Sequence, residues 1–211
     1  LRAEAVSNAW PDATANLVVV ANAPVPLAFD GGTATLAGQV PDAWRYFSFT
    51  VPPGAVGWDV RLKNVTSGTP ILVVRRDQLP ATTSTSGWTS PQSSPNWPSG
   101  NAWRGGTDWT GRTYDIGAPT NLVVPPRLVM GMGRPLEAGT YYVGVYNNHA
   151  SESLSFSLES RGIGTGMTLP VTNLAYAAGS SATIPNLAPR EAAYYKVTIP
   201  ANTPSWELTL A

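Results

Sequence analysis

Four of the chain's eight tryptophans lie in the segment WTSPQSSPNWPSGNAWRGGTDWT, residues 88–110, among Ser, Thr, Pro, Gly and Asn. Trp88, Trp97, Trp103, Trp109 and Tyr114 recur every five to nine residues, which fits neither a strand nor a helix. Flat aromatic faces can stack on the C–H faces of sugar rings, and polar side chains beside them can bond the hydroxyls. Arg104, Asp108, Arg112 and Asp115 stand beside the rings, so the expected chemistry is binding of a neutral polysaccharide. The competing use of the same rings is packing. Residues 77–121 carry only five charges in 45 residues, and a loop of that length needs apolar anchors to be ordered. The two uses can divide the rings between them.

Catalysis has little to draw on. His149, in YNNHAS, is the only histidine, no Cys is present, and neither G-x-S-x-G nor H-E-x-x-H occurs. Asp108 with Asp115 is the one carboxylate pair near the rings that a glycosidase reading could nominate. The expectation is no catalytic residue and no enzyme. Calcium needs six or more oxygens, and no D-x-D-x-D run supplies them. Asp30, Asp42 and Asp59 lie near turns, and DWTGRTYD (108–115) is the nearest thing to a local cluster, so no cofactor is expected and Ca2+ is the only metal weighed. Thirteen basic and thirteen acidic residues leave no net charge, which argues against nucleic acid as a partner. No apolar run is long enough for a membrane span.

The elements that must position these residues read as strands. Period-two alternation or apolar runs occupy 16–29, 33–40, 43–51, 57–65, 70–77, 120–132, 139–148 and 152–161. In RYFSFTV, Tyr46, Ser48 and Thr50 alternate with Phe47, Phe49 and Val51, and Trp58, Val60 and Leu62 share one face of the next strand. DGG, VPPGA, TSGTP, LEAGT and YNNHAS punctuate the runs where the backbone must reverse. Only residues 1–12 allow a short helix. The fold class is therefore all-β, an antiparallel β-sandwich or jelly roll with a long Trp-rich insertion. Arg45, Arg61, Arg75 and Arg76, with Asp59 and Asp77 nearby, suggest cross-strand charge pairs on a solvent face.

An internal repeat divides the chain. YFSFTVPPGAVGWDVRL (46–62) aligns without a gap on YYKVTIPANTPSWELTL (194–210), placing Tyr46 over Tyr194, Trp58 over Trp206 and Asp59 over Glu207. Upstream, NAPVPLAF and MTLPVTNLAY open the two copies after a small shift. The expected organisation is a complete sandwich over 23–163, the first part of a second, truncated copy over 164–211, and the end of a preceding unit or a linker over 1–22. Tyr195, Val197, Ile199, Trp206 and Leu208 or Leu210 of the second copy would lack cover unless they met residues 1–22 or another chain.

The motifs WRYFSFTVPPGA followed by WDVRL, and LEAGTYYVGVYNN before SLSFSLE, resemble those of the bacterial pre-peptidase C-terminal domain. The resemblance covers most of 30–160, and the second copy carries the first motif alone. It implies a non-catalytic, jelly-roll-like module, often in tandem, in secreted or cell-surface proteins, with polymers such as polysaccharide or collagen as partners beside neighbouring repeats of the same chain. The Trp-rich insertion departs from that pattern. The expected function is a binding or adhesion module at the cell surface or outside the cell, with a purely structural spacer as the alternative and a glycoside-active enzyme third.

Overall fold

Alternation along the chain becomes two packed sheets. The computed structural model describes residues 23–80, 102–104, 125–131 and 136–209, and no helix occurs among them. One sheet has the order β1 (Val25–Leu27), β3 (Trp44–Val51), β8 (Gly139–Asn147), β5 (Pro70–Arg76) and β6 (Ala102–Arg104). The other runs β2 (Gly32–Gln39), β9 (Leu154–Ile163), β4 (Gly57–Ser67) and β7 (Arg127–Gly131). Pairing is antiparallel throughout, except that β1 runs parallel to β3. The all-β sandwich expected from the alternation is the fold observed. Residues 102–104 add a short strand inside the segment read as structureless, while the helix considered at 1–12 lies outside the described residues.

The core forms where the inward faces meet. Phe47, Phe49 and Val51 of β3, with Tyr141, Val143 and Val145 of β8, pack on Trp58, Val60 and Leu62 of β4 and Leu154, Phe156 and Leu158 of β9. Trp58 has no exposed surface, and its ring lies 5.1–5.7 Å from those of Phe29, Phe49 and Tyr141. A buried indole N–H must find an acceptor. It donates to Ser160 Oγ at 2.8 Å, and that hydroxyl donates to the Phe29 carbonyl at 2.6 Å.

The other face of β4 carries charge. Asp59 pairs in register with Arg161 of β9, and Arg61 with Arg127 of β7, so three guanidiniums converge on one carboxylate. Arg61 holds Asp59 through two bonds, Arg127 Nη2 approaches at 2.9 Å and Arg161 Nη2 at 2.6 Å. The expectation of pairs on a solvent face needs correction here, because Asp59 is fully buried. Its cover is the turn before the last strand. Glu191 accepts from Arg61 at 2.7 Å and Arg161 at 2.8 Å, while Arg127 Nη1 donates to the Arg190 carbonyl at 2.6 Å. Arg76 is charge-paired at a partly open site, though with its chain neighbour Asp77 and with Glu137 just before β8 and not across a strand ladder.

Beyond the sandwich, β10 (Val171–Leu174) and β11 (Tyr194–Val197) form a separate parallel pair. Asp30 ties the connecting segment back, accepting the amides of Gly162 at 2.8 Å and Thr168 at 3.0 Å. Burial pushes its carboxyl up, but the bonds from the Thr168 hydroxyl and from the two amides outweigh it, and the net pKa falls below the ordinary 3.8.

Asp59→Ala takes from the buried Arg61 and Arg127 and the half-buried Arg161 the carboxylate they share, with Glu191 left on Arg61 and Arg161 alone, and should cost about 3–5 kcal/mol in urea unfolding. Glu191→Gln, at a partly open position, should cost under about 2 kcal/mol. Because the Asp30 pKa is lowered on folding, its contribution is full above about pH 4 and is lost as pH falls through the folded value. Asp30→Asn should therefore be less stable than the parent at neutral pH, and the two unfolding curves should converge in acid.

Candidate functional site

The residues of β3 between the core positions face away from the core. They meet β8 in register, with Trp44 opposite Tyr146, Tyr46 opposite Gly144 and Ser48 opposite Tyr142. The Trp44 and Tyr46 rings are near-parallel, 7° apart with centroids at 5.6 Å, and Tyr146 closes on Trp44 at 5.1 Å. All four aromatics of this face, Trp44, Tyr46, Tyr142 and Tyr146, are half-buried. Gly144 makes the arrangement possible. A Cβ there would come within 2.7 Å of Trp44 Cζ3 and 3.2 Å of Pro80 Cβ, so only a glycine lets the indole lie down on the sheet.

Polar groups edge the platform. The Tyr146 hydroxyl donates to Asp42 Oδ1 at 2.9 Å; that bond, with burial and the Asp42 charge adding to it, raises the phenol's pKa. Burial raises that of Tyr46. Both rings therefore present neutral hydroxyls. Asp42 occupies a left-handed turn position, with φ of 55°, and its amide donates to the Asn147 carbonyl at 3.0 Å. Asn147 is fully buried and ties three loops together: its amide group donates to the carbonyls of Gln39 and Glu152, and its side-chain oxygen accepts the amides of Thr69 and His149.

The chain matches no protein-family model, and no curated protein matches it.

Of the residues expected to bind ligand, Trp103 and Arg104 fall on β6, opposite Val74 and Val73 of β5, in the same sheet as the platform. Trp88, Trp97, Trp109, Tyr114, Asp108 and Arg112 lie outside the described residues, as does Asp115. The described chain reaches Pro80, against the face of Gly144 that Trp44 covers, immediately before that segment begins. His149 is a turn residue whose Nδ1 accepts the amides of Ser151 and Glu152 at 3.2 and 2.8 Å. Asp30, Asp42 and Asp59 serve three separate tasks, the first two on amides and a phenol and the third on guanidiniums. Among the described residues, no three His, Asp or Glu side chains come together as a metal-ion group.

The platform was missed in the sequence, although its signal was present. Inward positions of β3 are Phe and Val, whereas Trp44 and Tyr46 alternate with them and Tyr142 and Tyr146 do the same on the partner strand. Tyr and Trp on an outward face, with Phe and Val inward, mark a surface that is apolar and hydrogen-bonding together.

Gly144→Ala should drive the Trp44 ring off the sheet. The expected result is loss of near-ultraviolet circular dichroism from the Trp44, Tyr46 and Tyr146 group, with a cost of about 1–3 kcal/mol in stability.

Proposed function

We propose that this chain is a non-catalytic, extracellular β-sandwich module that binds a polymer, with polysaccharide the favoured class. The observation that carries the reading is the near-parallel Trp44 and Tyr46 pair on the outer sheet face, flanked by Tyr146, whose hydroxyl gives its proton to Asp42 and keeps its oxygen to accept from a sugar hydroxyl. Half-buried rings held flat by their neighbours lose little conformational freedom when a sugar stacks on them, so more of the contact energy reaches the affinity. Strand β6, which carries Arg104 opposite Val73, is an edge strand of the same sheet. The resemblance of 44–62 and 136–159 to pre-peptidase C-terminal domains points the same way.

A second reading, the structural spacer, draws on the Arg61, Arg127 and Arg161 cluster. Its grip on Glu191 and on the Arg190 carbonyl is what a stiff junction between successive repeats requires.

Affinity electrophoresis against soluble neutral polysaccharides, with pull-down on insoluble ones and on collagen, separates the two. At least one polymer should retard the chain, and Trp44→Ala or Tyr46→Ala should weaken retention about tenfold or more, equivalent to about 1.4 kcal/mol. If no polymer is bound, or if both variants bind like the parent, the binding reading fails and the spacer reading stands.

A further inference from the structure

The backbone repeats more of itself than the strand motifs suggest. Left-handed φ values occur at Gly31, Gly38, Asp42 and Gly54, and again at Gly179, Asn186, Arg190 and Asn202, each 148 residues on. Three of those partners are not glycine, and a non-glycine residue adopts positive φ only where the local structure demands it. Parallel pairing is repeated too. Val25 stands opposite Phe47, and Thr172 opposite Tyr195, so β10 and β11 reproduce β1 and β3 with a one-residue shift in the first strand.

Burial is not repeated. Trp58 is 0% exposed and its counterpart Trp206 47%; Val60 is 0% and Leu208 72%; Val51 is 1% and Ile199 42%. An open groove of about 310 Å³ lies where the second core belongs. Ala177, Val197, Trp206 and Leu208 line it, at the positions held in the first copy by Phe29, Phe49, Trp58 and Val60.

The first copy shows what is missing. There β8 lies antiparallel on β3, and β9 runs between β2 and β4, hydrogen-bonded to both. In the second copy the counterparts of β2 and β4, at 180–187 and 205–209, form no ladder, whereas β10 and β11 pair because each is the other's partner. No other strand pairs with β11 among the described residues.

We infer that residues 171–209 are the open half of a second sandwich, and that their occupant is an antiparallel β-hairpin of the β8–β9 type. Its first strand lies antiparallel along β11, and its second enters between 180–187 and 205–209. Alternating apolar side chains fill the groove over Trp206, as Tyr141 covers Trp58 and Phe156 meets Phe47 in the first copy. This is recognition by strand addition, with backbone bonds setting the register and the alternate side chains setting the choice of strand.

The chain contains no cysteine, so the register can be read by disulfide formation. Residues 137–163 are appended after Ala211 through a flexible Gly/Ser linker of about 20 residues, whose reach of roughly 25 Å suits an intramolecular encounter. Lys196→Cys, at an exposed position, is combined with a cysteine at appended position 142 or 146. Ser48 pairs with Tyr142 in the first copy, so Lys196 should pair with appended position 142. The expected result is an intramolecular disulfide forming at least about tenfold faster at 142 than at 146, two positions on the same strand face. Equal rates would overturn the inference. So would disulfides between Lys196→Cys chains that outrun the intramolecular one, because a second copy would then be the occupant.

Discussion

Residues 57–62 of strand β4 are buried on both sides, and much of the molecule follows from that. Successive side chains of a strand point to opposite faces. Trp58 is therefore driven into the space between the sheets while Asp59, its neighbour, is driven out of it. The indole has the largest apolar surface in the core, and its one polar atom is satisfied by Ser160. The carboxylate is buried just as fully, and it is tolerated because register delivers Arg61, Arg127 and Arg161 to it. An unpaired charge at that depth would cost far more than the pairs return, so the ladder register of β4 with β7 and β9 is locked by chemistry as well as by packing.

The charged cluster also explains how the C-terminal segment meets the sandwich. Three guanidiniums exceed the one negative charge of Asp59, and Glu191 supplies the second. The turn that carries it is held in a left-handed backbone at Arg190, whose carbonyl takes a further bond from Arg127. An electrostatic surplus on one sheet thus selects the geometry of a loop 130 residues away from Arg61.

On the opposite sheet the same alternation has a different outcome. Facing away from the core, Trp44, Tyr46 and Tyr146 are held in place by one another, by the bare backbone at Gly144 and by the Asp42 turn. Asn147 anchors that turn to the end of β8 by bonding four backbone groups from three loops. The ring platform is in this sense a product of loop chemistry at one end of the sandwich. The parallel pair β10 and β11 needs no third strand, and residues 180–187 and 205–209 beside it form no ladder.

Much of this was legible in the residues. Period-two runs and Gly, Pro and Asn turns placed six strands close to their observed positions, and the runs at 16–29 and 120–132 contain the shorter β1 and β7, because alternation and turn chemistry are local properties of the chain. The repeat was legible as well, since Trp58 and Trp206 stand in the same motif. Less legible were the short strand β6, whose three residues pair only because β5 offers an edge, and the aromatic platform, whose rings come from strands nearly 100 residues apart. Sequence by itself determined which residues alternate, where the backbone turns and that one motif occurs twice. Only the tertiary structure decided that Asp59 is buried, that Trp44 lies on Gly144 and that Trp206 remains uncovered. The physical reason is that burial depends on what a distant strand places opposite each face, and no local pattern carries that information.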